Sequence, residues 1–262
     1  MMHYLRLVGL FIRISIQNDT AYRANILFNL VMALITLGAE LIGLWTIFAN
    51  ARSLGGWTVF QMLALIGIFR FMVGIIGLCI SPNMRMIMED IRDGKLDFVL
   101  LKPVDAQFFA SARRIVIWRV TDLIVGLAMV VVGCAHLSTS ISMATILSTL
   151  AMLAAGTVII YSFWLVLATC AIWFTRLSNI EMVFWNLFEA GRYPVDVYPY
   201  WLRIGLTYVI PLAFLTTFPA GALLGKTHLP GIGLAALLAV ISLVLSSLFW
   251  RFGLRCYSGA SA

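Results

Sequence analysis

The chain has 262 residues, of which 62% are hydrophobic and only 11% charged, and its mean hydropathy is +1.01. Soluble domains carry roughly 25% charged residues, so no single globule in water can hide this much apolar surface, and a bilayer must solvate it. The net charge of +7 would suit a nucleic-acid binder, but the positive residues flank apolar runs, which is the pattern of membrane orientation, so no nucleic-acid partner is expected.

The opening residues place Arg6, Arg13 and Thr20 on one stripe, with Gly9 and Gln17 beside it and leucines, isoleucines and Phe11 around the rest. This predicts a basic amphipathic helix over residues 1–23, lying in the interface plane. Two arginines disfavour an early span. They also interrupt any signal-peptide core, and no small-residue cleavage site follows, so the first residues are expected to be retained.

A first span is predicted over residues 24–50 and a second over 57–80, each long enough for the ~20 residues that a crossing needs. The first carries Glu40 and the second Arg70. Counted from the short turn between the spans, the two charges lie ~15 Å and ~18 Å deep at about 1.5 Å per residue. Adjacent antiparallel helices therefore bring them to one level, and a pair or shared polar pocket is expected. Two readings stand: a static clamp between helices, or part of a path for cationic compounds, which a paired arginine would repel.

Residues 81–114 form the only long polar stretch. Met84, Ile87, Met88 and Ile91 share one helical face, Ser81 suits an N-cap, Pro82 a first helical position, and Gly94 a left-handed C-terminal end. This predicts a short amphipathic helix at the membrane surface that offers a face to another protein; the alternative is a solvated loop linking two spans. Beyond it, Pro103 biases Lys102 towards extended geometry. The run from Asp97 is then either ordinary loop surface or a brace against the third span.

The third span is expected over 115–135, with Arg119 and Asp122 near its start, and the fourth over 143–174. A fifth begins at 180–190 and is cut short by Glu189, Gly191, Arg192 and Pro194. The apolar pieces between Pro194 and Pro230 are too short to cross and are read as two re-entrant helices entering from one side. A last span covers 231–250. Six crossings put both termini on one face, with Arg6, Arg13, Arg23, Arg85, Arg92, Lys95, Lys102, Arg113, Arg114, Arg176, Arg251 and Arg255. Arg52, Arg192, Arg203 and Lys226 fall on the other. By the positive-inside rule the termini and the 81–114 segment are cytoplasmic.

Residues 220–227, AGALLGKT, imitate a phosphate-binding loop, but no strand precedes them and no soluble helix follows. Gly221 and Gly225 form a GxxxG pair that permits close helix packing. Residues 18–20 match a glycosylation sequon by pattern only. Cys79, Cys134, Cys170 and Cys256 lie apart in or beside apolar runs, and His3, His136 and His228 are scattered, so neither a disulfide frame nor a metal site is expected. No nucleophile–base pair or pair of acids on one polar face points to an enzyme.

At residues 91–103, IRDGKLDFVLLKP, the chain resembles the type-2 permeases of ATP-binding-cassette transporters, in the branch of bacterial drug and viologen exporters. The matching run is Ile91, Gly94, Leu96 and Asp97 followed by Leu101, Lys102 and Pro103. Ala21, Tyr22, Arg23 and Asn25 also look like that branch. So do Tyr193 with Pro194, Ile210 with Pro211, Phe218 to Ala220, and Leu224 with Gly225. The resemblance covers essentially the whole chain. It implies a single all-α permease domain over residues 1–262, with a cytoplasmic coupling segment at 81–114 and outer re-entrant helices at 194–230. It implies a second permease, the same or homologous, and a separate ATPase dimer that binds ATP, since these residues hold no nucleotide-binding segment. It implies export of hydrophobic or amphipathic small molecules across a bacterial cytoplasmic membrane. The coupling residues expected from it are Met84, Arg85, Met88, Glu89, Arg92, Gly94, Asp97, Lys102 and Pro103. The competing readings are an ATP-independent transporter or channel, which Glu40, Arg70 and Asp122 keep open, and a membrane-embedded lipid-modifying enzyme.

Overall fold

The structure, a computed structural model, describes residues 2–20, 23–137, 142–174, 178–225 and 229–257. The protein is an all-α polytopic membrane protein, and among the described residues there is no strand. Among the described residues, five helices are long and apolar enough to cross a bilayer. They are α2 (Arg23–Asn50), α3 (Val59–Ile75) with its continuation α4 (Ser81–Arg92), α7 (Val120–Ala135) with the 3₁₀ turn before it, α8 (Met143–Cys170) and the last helix, α10 (Leu229–Cys256). Before them, α1 (Met2–Thr20) seats Phe11 edge-on against Phe109. Ser15 is buried there and accepts a hydrogen bond from the Ile115 amide at 3.2 Å. Leu10, Ile12, Ile14 and Ile16 are left facing outward.

The expected surface helix at 81–92 is not a separate element. The second span runs unbroken from Val59 to Arg92, 34 residues, or ~51 Å at 1.5 Å per residue. That exceeds the ~30 Å hydrocarbon core, so about two turns or more project beyond it as a stiff rod. Ser81 is not an N-cap: its φ of −55° and ψ of −45° are helical, and its hydroxyl donates to Glu181 at 3.0 Å. Pro82 lacks an N–H, and the helix absorbs this with a π-helical turn at Ile76–Ile80. The Leu78 carbonyl, deprived of its donor, accepts instead from the Val116 amide at 2.9 Å. Asn83 completes the join, donating to Arg114 O at 2.7 Å and accepting from Arg114 N at 2.9 Å.

The rod ends as the sequence predicts. Gly94 has φ +67°; Lys95 N reaches Asp90 O at 2.7 Å and Gly94 N reaches Ile91 O at 3.3 Å, the two bonds of a Schellman cap. Two short helices then fold back: α5 (Leu96–Leu100) and α6 (Ala106–Ala112), the latter capped by Asp105, which accepts from Phe108 N at 2.8 Å. Asp97 therefore sits in the first turn of a helix, not in an extended run.

Helices α3 and α7 pack through glycine. On α7 the buried residues are Asp122, Gly126, Met129 and Gly133, one stripe. A Cβ added at Gly126 would lie 2.6 Å from Gly67 O, and one at Gly133 2.8 Å from Phe60 O. Backbone thus meets backbone along the seam, the close approach that small residues permit in membranes. Of the predicted GxxxG pair, Gly221 is buried, but Gly225 lies past the helix end with φ +67° and open space around it, so the two do not share one packing face.

The stretch after α8 joins α9 (Ser178–Phe188) to 3₁₀ turns at Glu189–Arg192 and Val195–Val197. It begins where Glu181 pairs with Arg85 and ends where Val197 touches Gly55 in the turn before Trp57. A bent helix pair follows. Its arms, Tyr200–Val209 and Leu212–Leu223, meet at 70° beside Pro211. Ala220 and Leu223 return to the Trp57 end of the bundle. Near the bend, Phe214 O packs so closely on α8 that a Cβ at Gly156 would lie 2.6 Å from it. Lys226 and Thr227 of the loop-like motif, and Arg176, lie outside the described residues.

Candidate functional site

Two features carry chemistry. The first is a charge network at the centre of the bundle. The glycine seam holds Arg70, between Gly67 and Gly74 on α3, against Asp122 on α7. Arg70 Nε donates to Glu40 at 2.9 Å, and its Nη1 donates to Asp122 at 3.2 Å. Arg119 holds the second oxygen of Asp122 at 3.1 Å. The expected Glu40–Arg70 pair is present, but it is part of a larger network that unites all four predicted intramembrane charges.

Two further members were not anticipated. Arg192, expected on the outer face, approaches the second oxygen of Glu40 at 3.7 Å and pairs with Glu189 at 2.6 Å. It also leans towards the Phe69 ring, at 5.6 Å. The 3₁₀ turn at Glu189–Arg192 directs it inward, with Gly191 buried near Thr216 and Phe69. With Pro194 these residues read only as the end of the fifth span; the signal for an inward role was an acid and a base beside glycine in an apolar run.

Side chains of Glu40, Arg70 and Asp122 are 2%, 4% and 10% exposed, so the pairs that hold them are shielded from water. Isolated charges at this depth cost at least ~2.5–3.5 kcal/mol each. Each carboxylate is therefore bracketed by two arginines. Beside the network lies a cavity of about 410 Å³. A second, of about 330 Å³, shares Trp118, Arg119 and Trp185 with it and extends towards the Arg85–Glu181 pair.

The second feature is the tip of the rod. Met84 is 0% exposed, with Ile87 and Leu96 equally buried. The apolar face expected to meet another protein is instead folded onto α6 and α8, because a helix continuing from a span keeps its packing face in register. Met88 is half-buried beside it. Arg85, Glu89 and Arg92 remain exposed, and Arg85 is tied to Glu181. At the end of the rod, Asp93 accepts from Arg92 at 3.1 Å and Lys95 at 3.2 Å. Those bonds hold its carboxyl below the ordinary carboxylate range. Lys102 lies over the Phe109 ring at 4.0 Å, and Pro103 is exposed. Phe98 and Leu101 are 69% and 81% exposed among these charges. Sequence reasoning passed over both, since every other apolar residue nearby reads the same way.

Compared with known families, residues 34–261 match the model of the ABC-2 family transporter protein. The chain belongs to this family; it is an ABC-transporter permease, a multi-pass transport subunit rather than an enzyme in its own right. No curated protein and no solved structure matches it.

Proposed function

We propose that this chain is the membrane subunit of an exporter for hydrophobic or amphipathic small molecules, working beside a second permease and driven by a separate ATPase dimer that binds the ATP. The observation that carries this reading is the rod. A single helix starts beside Trp57, carries Arg70 of the buried network, and ends past the hydrocarbon core at Gly94. A push at its tip would reach the network without a hinge between, which is what coupling nucleotide-driven closure to the spans requires.

The docking surface on this reading is the exposed part of the tip, Arg85, Glu89, Arg92, Phe98, Leu101, Lys102 and Pro103, with the half-buried Asp97 among them. Phe98 and Leu101 would fill apolar pockets in the ATPase, ringed by the charges. Gly94 would keep α5 folded back under the rod. The charge bias supports a cytoplasmic tip and cytoplasmic termini in a bacterial inner membrane. Removal of Arg192 from the outer face strengthens that bias, leaving Arg52 and Arg203 there among the described residues.

Cysteines placed at Phe98 and Leu101 should cross-link to the ATPase in the co-purified complex, whereas one at Met84 should not. Gly94→Val should leave ATP hydrolysis running while transport falls, because a valine strains the left-handed position by about 1–2 kcal/mol. Cross-links from Met84 but from neither Phe98 nor Leu101 would overturn the docking surface, and transport without any ATPase would overturn the exporter reading.

A further inference from the structure

The 410 Å³ cavity lies between α2, α3, the start of α7 and the Glu189–Arg192 turn. We infer that it is a binding site for the acidic head group of an amphipathic molecule, a phosphate or carboxylate carried on an apolar tail. This rests on the exporter reading above and names its substrate class.

The buried carboxylates are already occupied. Arg70 and Arg192 flank Glu40, and Arg70 and Arg119 flank Asp122. A cation entering the cavity finds no free acid and meets three guanidinium groups. An anion finds donors. Each guanidinium has five N–H groups, and the network leaves several unused. Arg192 Nε is buried and has no acceptor among the described residues. Counted without Glu189, the wall holds Arg70, Arg119 and Arg192 against Glu40 and Asp122, a surplus of one positive charge.

Glu189 supplies the missing negative charge, and differs from the other two acids. Its side chain is 56% exposed, against 2% for Glu40 and 10% for Asp122. It holds Arg192 at 2.6 Å from the cavity rim. It is a carboxylate already bound to the site by a tether, and an incoming acidic group takes its place while Glu189 turns out to water. Charge-assisted bonds to a planar guanidinium suit phosphate and carboxylate alike.

The remaining wall fits a tail. Phe69 and Val73 of α3 and Trp185 of α9 face the cavity, and Phe28 and Met32 of α2 line it while remaining 62% and 45% exposed. The cavity thus opens beside α2, a helix of which only 11% of the apolar window is buried in the chain. A tail can lie along α2 while the head group reaches the arginines.

The test uses this chain purified with its ATPase. The probes are radiolabelled dodecyl phosphate, dodecanoate and dodecyltrimethylammonium below their micellar concentrations, with binding read by equilibrium dialysis. Both anions should bind more tightly than the cation. Arg192→Gln should weaken the anions about tenfold, in line with loss of a charged hydrogen bond. Glu189→Gln should strengthen them several-fold by removing the competitor. Glu189 is at the rim, and in Arg192→Gln the Glu40 carboxylate keeps its closer partner Arg70 at 2.9 Å. A purely structural role would not move the two variants in opposite directions. Tighter dodecyl phosphate assigns a phosphate head group, and tighter dodecanoate a carboxylate. A cation that binds as well as the anions, or weaker anion binding in Glu189→Gln, overturns the site. Co-purification and nucleotide hydrolysis are read separately: their absence defeats the exporter reading, while intact hydrolysis without anion preference defeats only the head-group site.

Discussion

Reversal of the central pair tests whether Glu40 and Arg70 act as a pair or as members of a network. For an isolated pair, Glu40→Arg with Arg70→Glu restores the attraction lost in either single variant. The structure says otherwise. Glu40 also faces Arg192 at 3.7 Å, and Arg70 also binds Asp122 at 3.2 Å. The swap therefore sets a new glutamate against Asp122 and a new arginine against Arg192. A unit pair at about 4 Å is worth ~4 kcal/mol at an effective dielectric constant of ~20. Turning two attractions into repulsions costs on the order of 10 kcal/mol before side chains relax, comparable to the ~5–15 kcal/mol that holds a typical domain folded. Thermal stability of detergent-solubilised protein, read as the monodisperse fraction after heating, should be no better in the double variant than in the worse single one. Adding Asp122→Asn and Arg192→Gln removes both repulsions and should recover much of the loss. Wild-type stability in the double variant would refute the network and leave an isolated clamp.

The glycine seam predicts that Gly126→Ala lowers the melting temperature sharply, since its Cβ would lie 2.6 Å from Gly67 O; Gly38→Ala, with nothing within 4 Å of its Cβ, should be neutral or slightly stabilising as a better helix former. Equal melting temperatures for the two variants would remove the seam as the cause of α3–α7 packing. At the π-helical turn, Pro82→Ala supplies the N–H that the helix lacks and competes with Val116 for the Leu78 carbonyl. Hydrogen exchange at the Val116 amide should then quicken, and unchanged protection there would show that the proline does not set this join.

Local physics made much of this protein readable from its sequence. Composition alone required the bilayer, and apolar run lengths located the starts of the long helices to within a few residues, though not the end of the second at Arg92. The left-handed end at Gly94 and the break at Pro211 depend on single residues and their immediate backbone, so both were legible. The level of Glu40 against Arg70 followed from counting along two helices joined by a short turn. The rest depended on contacts distant in sequence. Ser81 and Pro82 carry the marks of a helix start, yet the preceding helix runs through them because Val116 satisfies the carbonyl that Pro82 orphans and the Asn83 side chain ties the join to Arg114. Asp122, Arg119 and Arg192 join the first pair only because the glycine seam fixes the rotation of α7 and a 3₁₀ turn aims Arg192 inward. At the tip of the rod apolar residues are interspersed with charges, so spacing alone does not separate the buried Met84 from the exposed Phe98 and Leu101; only the packing of α4 against α8 and of α5 and α6 onto α4 does.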